Sequence, residues 1–225
     1  MRRFLTLHIL LSLLLLTGCR QEEAPLYSGF EMGWVRQGAI TTDQQVKLAV
    51  RENPSGYDLT TERRVMARYQ TFSKDHAGAY QVDLQDLWET QVLPPRPASE
   101  PTGLITDSPV LVDDAWFSGG YLNAHLRFPG TEIGRHRFQL VFSATNGRMH
   151  LRLLHDDQEQ ARGATLLHTY LCFPLDSITA AYRNEVAADA KIIPLLLQWT
   201  GNALDDHGNP TGKAEPRSQE GNYRP

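Results

Sequence analysis

An Asn146-Gly147 pair between two runs of alternating apolar residues constrains the fold of this chain more than any other feature. Asn-Gly is a preferred two-residue turn between antiparallel strands, because both turn positions need a positive φ. With a turn at this point, three apolar pairs face one another: Ala144 with Met149, Phe142 with Leu151, and Leu140 with Leu153. A slip of one residue would move the whole apolar set to the other face. The sequence therefore predicts a hairpin packed on a hydrophobic core.

A second alternating run, WFSGGYLNAHLRF at residues 116–128, predicts another strand of the same half. Its apolar members are expected in the core: Leu122, Ala124, Leu126 and Phe128. The polar members Tyr121, Asn123 and His125 point the other way, because successive side chains of a strand alternate between faces. That polar face is either a ligand surface or the solvated side of an ordinary strand.

Two later segments, TYLCFPLDSI and KIIPLLLQWTG, predict further strands in this half. Pro194 places the second of them near a sheet edge or at a bulge, because proline cannot donate to a central ladder. Residues 180–190, between the two segments, fit either a short helix or a long loop. Together these elements predict a β-sandwich of antiparallel strands.

The first half of the chain contains shorter alternating runs with strong turn signals between them. Val46, Leu48 and Val50 alternate with polar neighbours, and the tetrapeptide NPSG at residues 53–56 favours a turn. A second such run surrounds Val65. Short strands at regular spacing are typical of a small barrel, so the whole chain is expected to be all-β.

Proline-rich and polar segments divide the chain. LPPRPASEPTG, at residues 93–103, contains four prolines, which are excluded from helix interiors and central strands. The segment after Asn202 is polar and rich in glycine and proline, and we expect it to be disordered. The predicted organisation after the leader is a tether at 19–27, a barrel at 28–93, a linker at 94–106, a sandwich at 107–201 and a tail at 202–225.

The N-terminus indicates an exported, lipid-anchored protein. Two arginines precede an apolar run from Phe4 to Leu16, which is shorter than the roughly 20 residues of a membrane-spanning helix. Residues 1–18 are therefore predicted to be a signal peptide. The sequence Leu-Thr-Gly-Cys at its end resembles the lipobox of bacterial lipoproteins and makes Cys19 the expected lipidation site. An ordinary signal peptide with a chance cysteine is the alternative.

Charge and cysteine content exclude several classes of function. Removal of the leader takes away two arginines and no acid, so 20 basic and 26 acidic residues remain, a formal charge of −6. A nonspecific nucleic-acid binder would carry a basic excess or stripe, so we expect no nucleic-acid partner. Cys172 would be the only thiol left beside an acylated Cys19, and its apolar surroundings predict a buried side chain. Structural zinc and redox motifs need further cysteines at close spacing.

The order of several motifs resembles the NigD-like lipoproteins. The run around Tyr121 is similar to the Tyr-Leu-Asn strand of that family, and the matching residues are Trp116, Gly119, Gly120, Tyr121, Leu122 and Asn123. Residues 60–72, 135–142, 150–157 and 171–178 are similar to other family segments, in the same order. The resemblance implies an N-terminal OB-like barrel and a C-terminal immunoglobulin-like sandwich. It supplies no catalytic residue, and no cofactor is expected. The acidic pair Glu22-Glu23 soon after Cys19 resembles the export signals of some Gram-negative lipoproteins, so we expect an outer membrane or cell-surface location.

The best candidates for a metal site are His150, His155, Asp156 and Asp157, because imidazole and carboxylate groups bind divalent ions. His150 and His155 are five residues apart, so on one strand they point to opposite faces. Only His155 and the two aspartates could converge, at the end of the hairpin. The alternative, which we favour, is a solvated loop without a metal.

Catalytic motifs are weak throughout the sequence. His155 with Ser118 or Ser143 would be a hydrolase pair, but no Gly-x-Ser-x-Gly elbow supports it. The adjacent carboxylates Asp113-Asp114 and Asp205-Asp206 are poor acid–base partners, since neighbouring strand residues face opposite ways. We therefore expect no enzymatic activity.

Aromatic residues supply the last candidate site. The groove of an OB-like barrel suits oligosaccharides, and aromatic side chains there could stack on sugars: Tyr57, Tyr69, Tyr80 and Trp88. The alternative is that they fill the barrel core. With Tyr121, Asn123 and His125, they form the candidate ligand surface. The favoured function is a membrane-anchored binding or structural module whose partner is a glycan or an envelope protein. A hydrolase of envelope or dietary polymers and an inhibitor or immunity-type protein are the alternatives.

Overall fold

The structure, a computed structural model, describes residues 24–101, 103, 106–158, 165–207 and 210–225. The predicted signal peptide and Cys19 lie outside the described residues. No helix in the described part of the chain is long and apolar enough to cross a membrane. The strands are β1 Tyr27–Arg36, β2 Ala39–Thr42, β3 Lys47–Glu52, β4 Arg63–Lys74, β5 Tyr80–Val92, β6 Arg96–Pro97, β7 Leu111–Ser118, β8 Tyr121–Gly130, β9 Arg137–Thr145, β10 Arg148–Asp156, β11 Thr165–Pro174, β12 Ile193–Leu204 and β13 Pro210–Tyr223. A 3₁₀ turn spans Ile133–Arg135, and the helix α1 spans Asp176–Glu185.

Strands β1 to β5 form a barrel-like ring. They pair in the order β3-β2-β1-β4-β5, and a parallel pairing of β3 with β5 closes the ring. Side chains on the inner faces form one core, which includes Val35, Leu48, Val65, Tyr69 and Leu84. The predicted all-β fold with a small N-terminal barrel is confirmed.

The second half is a β-sandwich, as predicted. One layer contains β7, β8 and β11, and the other has the order β13-β12-β10-β9-β6. The predicted core residues of β8 are all buried between these layers. The predicted register of the β9–β10 hairpin is also confirmed: Thr145 pairs with Arg148 and Phe142 with Leu151. Asn146 has a φ of 53° and Gly147 a φ of 73°, as a type I′ turn requires.

The barrel and the sandwich share one continuous sheet. Parallel pairing joins β5 to β11 between Thr90–Tyr170 and Val92–Cys172, so eight strands run in the order β3-β2-β1-β4-β5-β11-β8-β7. Part of the proline-rich segment after β5 is also held by strand pairing. Arg96 and Pro97 form β6, which pairs in parallel with β9 at the sandwich edge. Pairing of the two halves by a central sheet was not predicted from the sequence.

The position of the Pro194 strand was predicted wrongly. β12 lies between β13 and β10 rather than at an edge, and it runs parallel to β10. Proline is tolerated because Pro194 is the second residue of β12, and pairing with β10 begins only at Leu195. The expected purely antiparallel sandwich therefore contains two parallel pairs, β10–β12 and β6–β9.

The prediction of a disordered tail was also wrong. Residues Pro210–Tyr223 form β13, which pairs with β12 from Ile193 to Leu204. Most of its side chains are exposed, so the segment lacks the apolar alternation by which strands are recognised. Backbone hydrogen bonds to β12 hold it, and its prolines are accommodated because β13 is an edge strand.

The segment whose conformation the sequence left open contains the end of a helix. In α1, Ile178 and Tyr182 are buried against the sandwich core. The hydroxyl of Tyr182 donates a hydrogen bond to the Gly147 carbonyl oxygen at 2.9 Å. The helix therefore closes one end of the sandwich beside the Asn146-Gly147 turn.

Candidate functional site

A groove of about 380 Å³ lies on the outer face of the shared sheet. Alternation along the strands creates this face. Met66 points outward while its neighbours Val65 and Ala67 fill the barrel, and Tyr170 points outward while Leu171 fills the sandwich. The lining residues are Phe30, Glu31, Met32, Gln44, Met66, Asp114, Trp116, Phe117, Ser118, His125 and Tyr170.

Aromatic rings form a continuous row along this face and cross the junction between barrel and sandwich. The Phe30 and Trp88 rings meet edge to face with centroids 5.7 Å apart. Trp88 lies 6.2 Å from Tyr170, which stacks on the His125 ring at 4.5 Å. Phe30 is 52% exposed although it sits in this row. The row therefore offers an apolar surface to a ligand.

A buried polar network lies beside the groove and fastens the barrel to the sandwich. The Arg64 guanidinium on β4 donates to both carboxylate oxygens of Asp43, at 2.9 and 2.8 Å. It also donates to the Asn123 side-chain oxygen on β8 at 2.9 Å. The Tyr121 ring lies 4.0 Å from the guanidinium carbon and covers one of its faces. Since the Arg64 side chain is fully buried, this charge depends on Asp43 for compensation.

The turn between β7 and β8 completes the network. The Ser118 hydroxyl donates to Asp43 at 2.5 Å and accepts a hydrogen bond from the Asn123 amide at 2.9 Å. Gly119 has a φ of 58°, and a Cβ there would lie 2.4 Å from an Asp43 carboxylate oxygen. Only glycine fits at this position, so the double glycine of the sequence motif serves the closure of the two halves.

The acidic end of the groove is formed by Asp114 of β7, and its neighbour Asp113 lies outside the lining. Asp113 accepts hydrogen bonds from Arg127 at 2.6 Å and lies 3.6 Å from His125. Asp114 is exposed, and no described residue forms a hydrogen bond or ion pair with it. Burial lowers the pKa of His125, which outweighs the raising effect of Asp113, so the ring is neutral at neutral pH. No lysine or arginine is among the described residues that line the groove.

Two of the predicted metal candidates, His155 and Asp156, belong to a second buried cluster and not to a solvated loop, whereas His150 and Asp157 are half-buried. His155 is 2% exposed, and its Nε2 lies 2.9 Å from Nδ1 of His136. Asp156 is fully buried, accepts a hydrogen bond from Arg137 at 2.5 Å and another from Thr106 at 3.0 Å. Among the described residues no group of three or more ligand-type side chains converges on one point. The solvated loop that we favoured is therefore wrong, because the sheet end is covered.

Burial, together with the neighbouring His136, lowers the pKa of His155 to about 4. The pKa of His136 is also lowered by burial. Both rings are therefore neutral at neutral pH, and one donates a hydrogen bond to the other. The pair packs against Phe128 and Phe138 and is part of the sandwich core.

The candidate nucleophiles do not meet His155. Ser118 is held in the network around Asp43. Ser143 pairs across the hairpin with His150, and no hydrogen bond joins their side chains in the described structure. Asp205, which belongs to the second carboxylate pair, accepts a hydrogen bond from the backbone of His207 between β12 and β13. Ser108 contacts His155 only through its backbone, and no described serine hydroxyl forms the hydrogen bond to a histidine that a hydrolase needs.

The structure separates the predicted ligand surface into two groups. Tyr69 is 1% exposed inside the barrel, and Tyr57 and Tyr80 pack against that core, so they are not on the groove. The other predicted residues meet at or beside the groove: Trp88, Tyr121, Asn123 and His125. Asn123 is 0% exposed, so its predicted place on a ligand surface is wrong; it supports the surface from below.

Four residues at or beside the groove were not predicted from the sequence: Phe30, Asp43, Arg64 and Tyr170. The alternation of Phe30, Met32 and Trp34 was the available signal, because a barrel strand with apolar residues on its outer face packs against something else. No local sequence pattern indicates that the side chains of Arg64 and Asp43 form an ion pair.

Comparisons with known proteins agree with this architecture. Residues 94–192 match the family model of the NigD-like C-terminal beta sandwich domain. A NigD-like immunity protein from Bacteroides caccae is similar in structure, with 24% identity, a TM-score of 0.65 and coverage of 90% of this chain and 99% of that one. No curated protein sequence matches the chain.

Two further solved structures share the fold. A putative lipoprotein from Bacteroides fragilis has 12% identity and a TM-score of 0.61 and covers 86% of this chain and 96% of its own. A putative toxin related protein from Parabacteroides distasonis has 13% identity and a TM-score of 0.58 over 88% and 94% of the two chains. At such identities the similarity concerns the fold. The sandwich domain at residues 94–192 is therefore similar to the NigD-like C-terminal domain, and the whole chain shares the two-part fold of a NigD-like immunity protein.

Proposed function

We propose that this chain is a lipid-anchored protein of the Gram-negative envelope, held at the outer membrane or cell surface through Cys19, that acts by binding rather than catalysis. The groove on the shared sheet is its binding surface. The observation that carries this proposal is the row of aromatic rings ending in Phe30, whose ring is exposed although its neighbours are packed. Exposed aromatic surface of this kind is typical of interaction sites.

The partner of such a surface is a glycan or an envelope protein. An immunity-type role, the name given to the Bacteroides caccae structure, is one form of the same function, because neutralising another protein requires an interface and no chemistry. No described serine hydroxyl forms a hydrogen bond to a histidine, which favours binding over hydrolysis.

Site-specific photocrosslinking in the native envelope tests this function. A photoreactive phenylalanine analogue replaces Phe30 in the groove or, as the matched control, Leu204, which is exposed at the end of β12. We expect a discrete crosslinked partner from position 30 only, lost when Trp88→Ala is added. The same products from both positions, or none from position 30, would exclude the groove as the binding surface.

The anchor has a separate test. The Cys19→Ala variant should move from the membrane fraction to the soluble fraction of the envelope, because the thiol that would carry the lipid is gone. A variant that stays fully membrane-bound would show that the protein is held in another way.

A further inference from the structure

We infer that the groove accepts a cationic side chain, a lysine or an arginine presented by an extended segment of a partner polypeptide. This inference rests on the proposed binding role of the groove and adds the chemistry of the ligand. It follows from the charge of the lining, from the aromatic faces and from the floor of the groove.

The lining is complementary to a positive charge. Its described residues include the exposed carboxylate of Asp114 and no lysine or arginine. Its neighbour Asp113 forms an ion pair with Arg127, which is the only described lysine or arginine within ion-pair distance of Asp113. Without its leader the whole chain has a formal charge of −6, which favours the approach of a basic partner.

The rings beside the groove already bind cations of the same chain. The Arg64 guanidinium lies 4.0 Å from the Tyr121 ring and that of Arg68 lies 6.0 Å from Trp88. Within the described residues, no cation lies over Trp116 or Phe30, which also line the groove. Tryptophan is the strongest cation–π acceptor, so a cation between Trp116 and Asp114 would gain from both groups.

The floor of the groove suits the aliphatic part of a long basic side chain. Met32 and Met66 lie beneath it, each 3% exposed, and the exposed part of the apolar lining is the Phe30 ring. Lysine and arginine lay their methylene groups along apolar surface while the charged end stays polar. The stem would therefore lie along the Phe30 ring, and the charged end would meet Asp114. A small ammonium ion would leave this apolar floor uncovered, which favours a polypeptide side chain.

Peptide titration tests the inference with the soluble chain that begins after Cys19. The probe is an extended glycine-serine peptide that carries spaced lysines, compared with the same peptide after acetylation of every lysine. Binding is followed by tryptophan fluorescence and calorimetry at low and at physiological salt. We expect the lysine peptide to bind, with lower affinity at higher salt, and acetylation to weaken binding about ten-fold or more.

Variants locate the site. Asp114→Asn should weaken binding of the lysine peptide about five-fold, and Phe30→Ala should weaken it by a similar factor. Asp206→Asn is the matched control, because it removes the same charge from the exposed β12–β13 connection and should change nothing. An equal loss in Asp114→Asn and Asp206→Asn would reduce the effect to overall charge and would contradict the inference.

The remaining outcomes separate this inference from the proposed function. Equal binding of the acetylated peptide, or Phe30-dependent binding of a neutral oligosaccharide without binding of the lysine peptide, overturns the cationic ligand and keeps the groove as a binding surface. A free polyamine that binds as tightly as the peptide overturns the polypeptide source. Failure of the photocrosslinking at position 30 removes the groove itself.

Discussion

At the scale of single residues, the fold depends on the buried guanidinium of Arg64, which lies on the outward face of its strand. Arg64 alternates with Val65 on β4, so its position predicts an outward-facing, solvated side chain. The outward face of β4 is covered by the loop that contains Asp43 and by the β7–β8 turn, and Arg64 is buried there. Periodicity gives the direction of a side chain and does not say what covers it.

Removing the negative partner of Arg64 should be strongly destabilising. Asp43→Asn leaves a buried guanidinium without charge compensation, and we expect unfolding free energy to fall by about 3–5 kcal/mol. Urea denaturation measures the loss. The control is Glu62→Gln, which breaks the exposed pair with Arg36 and should cost about 1 kcal/mol or less. Similar losses in the two variants would show that the network does not fasten the halves.

The buried histidine pair should make stability depend on pH. The pKa of His155 is about 4 in the folded chain and 6.5 as the ordinary value. The unfolded chain therefore binds the proton first, and stability falls as the pH drops from about 6.5 to about 4. The loss from this residue is about 3 kcal/mol.

Unfolding free energies at neutral pH and at about pH 5 check this expectation. In His155→Phe the unfolding free energy should fall much less at about pH 5, because the phenyl ring can stack on Phe138 without taking up a proton. His207→Asn, at an exposed position between β12 and β13, is the control and should keep it. An unchanged decrease in His155→Phe would assign the acid sensitivity to other groups.

At the scale of elements, the strands with one buried apolar face were predictable from the sequence. Strand β13, whose side chains are mostly exposed, was not. The β9–β10 hairpin has apolar residues at every inward position, so its register follows from the sequence. β13 has no such pattern, because its place is determined by backbone pairing with β12. Composition alone suggested a disordered tail, since polar residues with glycine and proline also characterise disordered segments.

Loss of β13 should therefore destabilise the sandwich. A chain that ends at Leu204 exposes the backbone edge of β12 and the Phe117 ring, which packs on Tyr223. We expect the melting temperature to fall by about 10 °C and aggregation to increase. A chain that lacks only Arg224 and Pro225, beyond the last paired residue, should melt like the complete protein. A disordered tail would instead predict no difference between the two truncations.

At the scale of the whole molecule, the sequence predicted two β-domains and missed how they join. Each domain has its own alternating strands and its own apolar set, which is what periodicity detects. The pairing of Thr90 with Tyr170 joins residues far apart in sequence, and no local pattern specifies which strand edges meet. The candidate site could be predicted only in part for the same reason. Trp88 and His125 were candidates because of their side-chain types, whereas Phe30 and Tyr170 come next to them only through strand pairing in the joined sheet.

The joined sheet also determines when during synthesis the groove can exist. The barrel strands end at Val92, so the barrel can close early on a growing chain. The opposite wall is supplied by β7, β8 and β11, and β11 ends at Pro174. Contacts between distant segments form slowly because a long loop must close first. A nascent chain with a finished barrel therefore still lacks half of its groove, and the aromatic row is among the last surfaces to be completed.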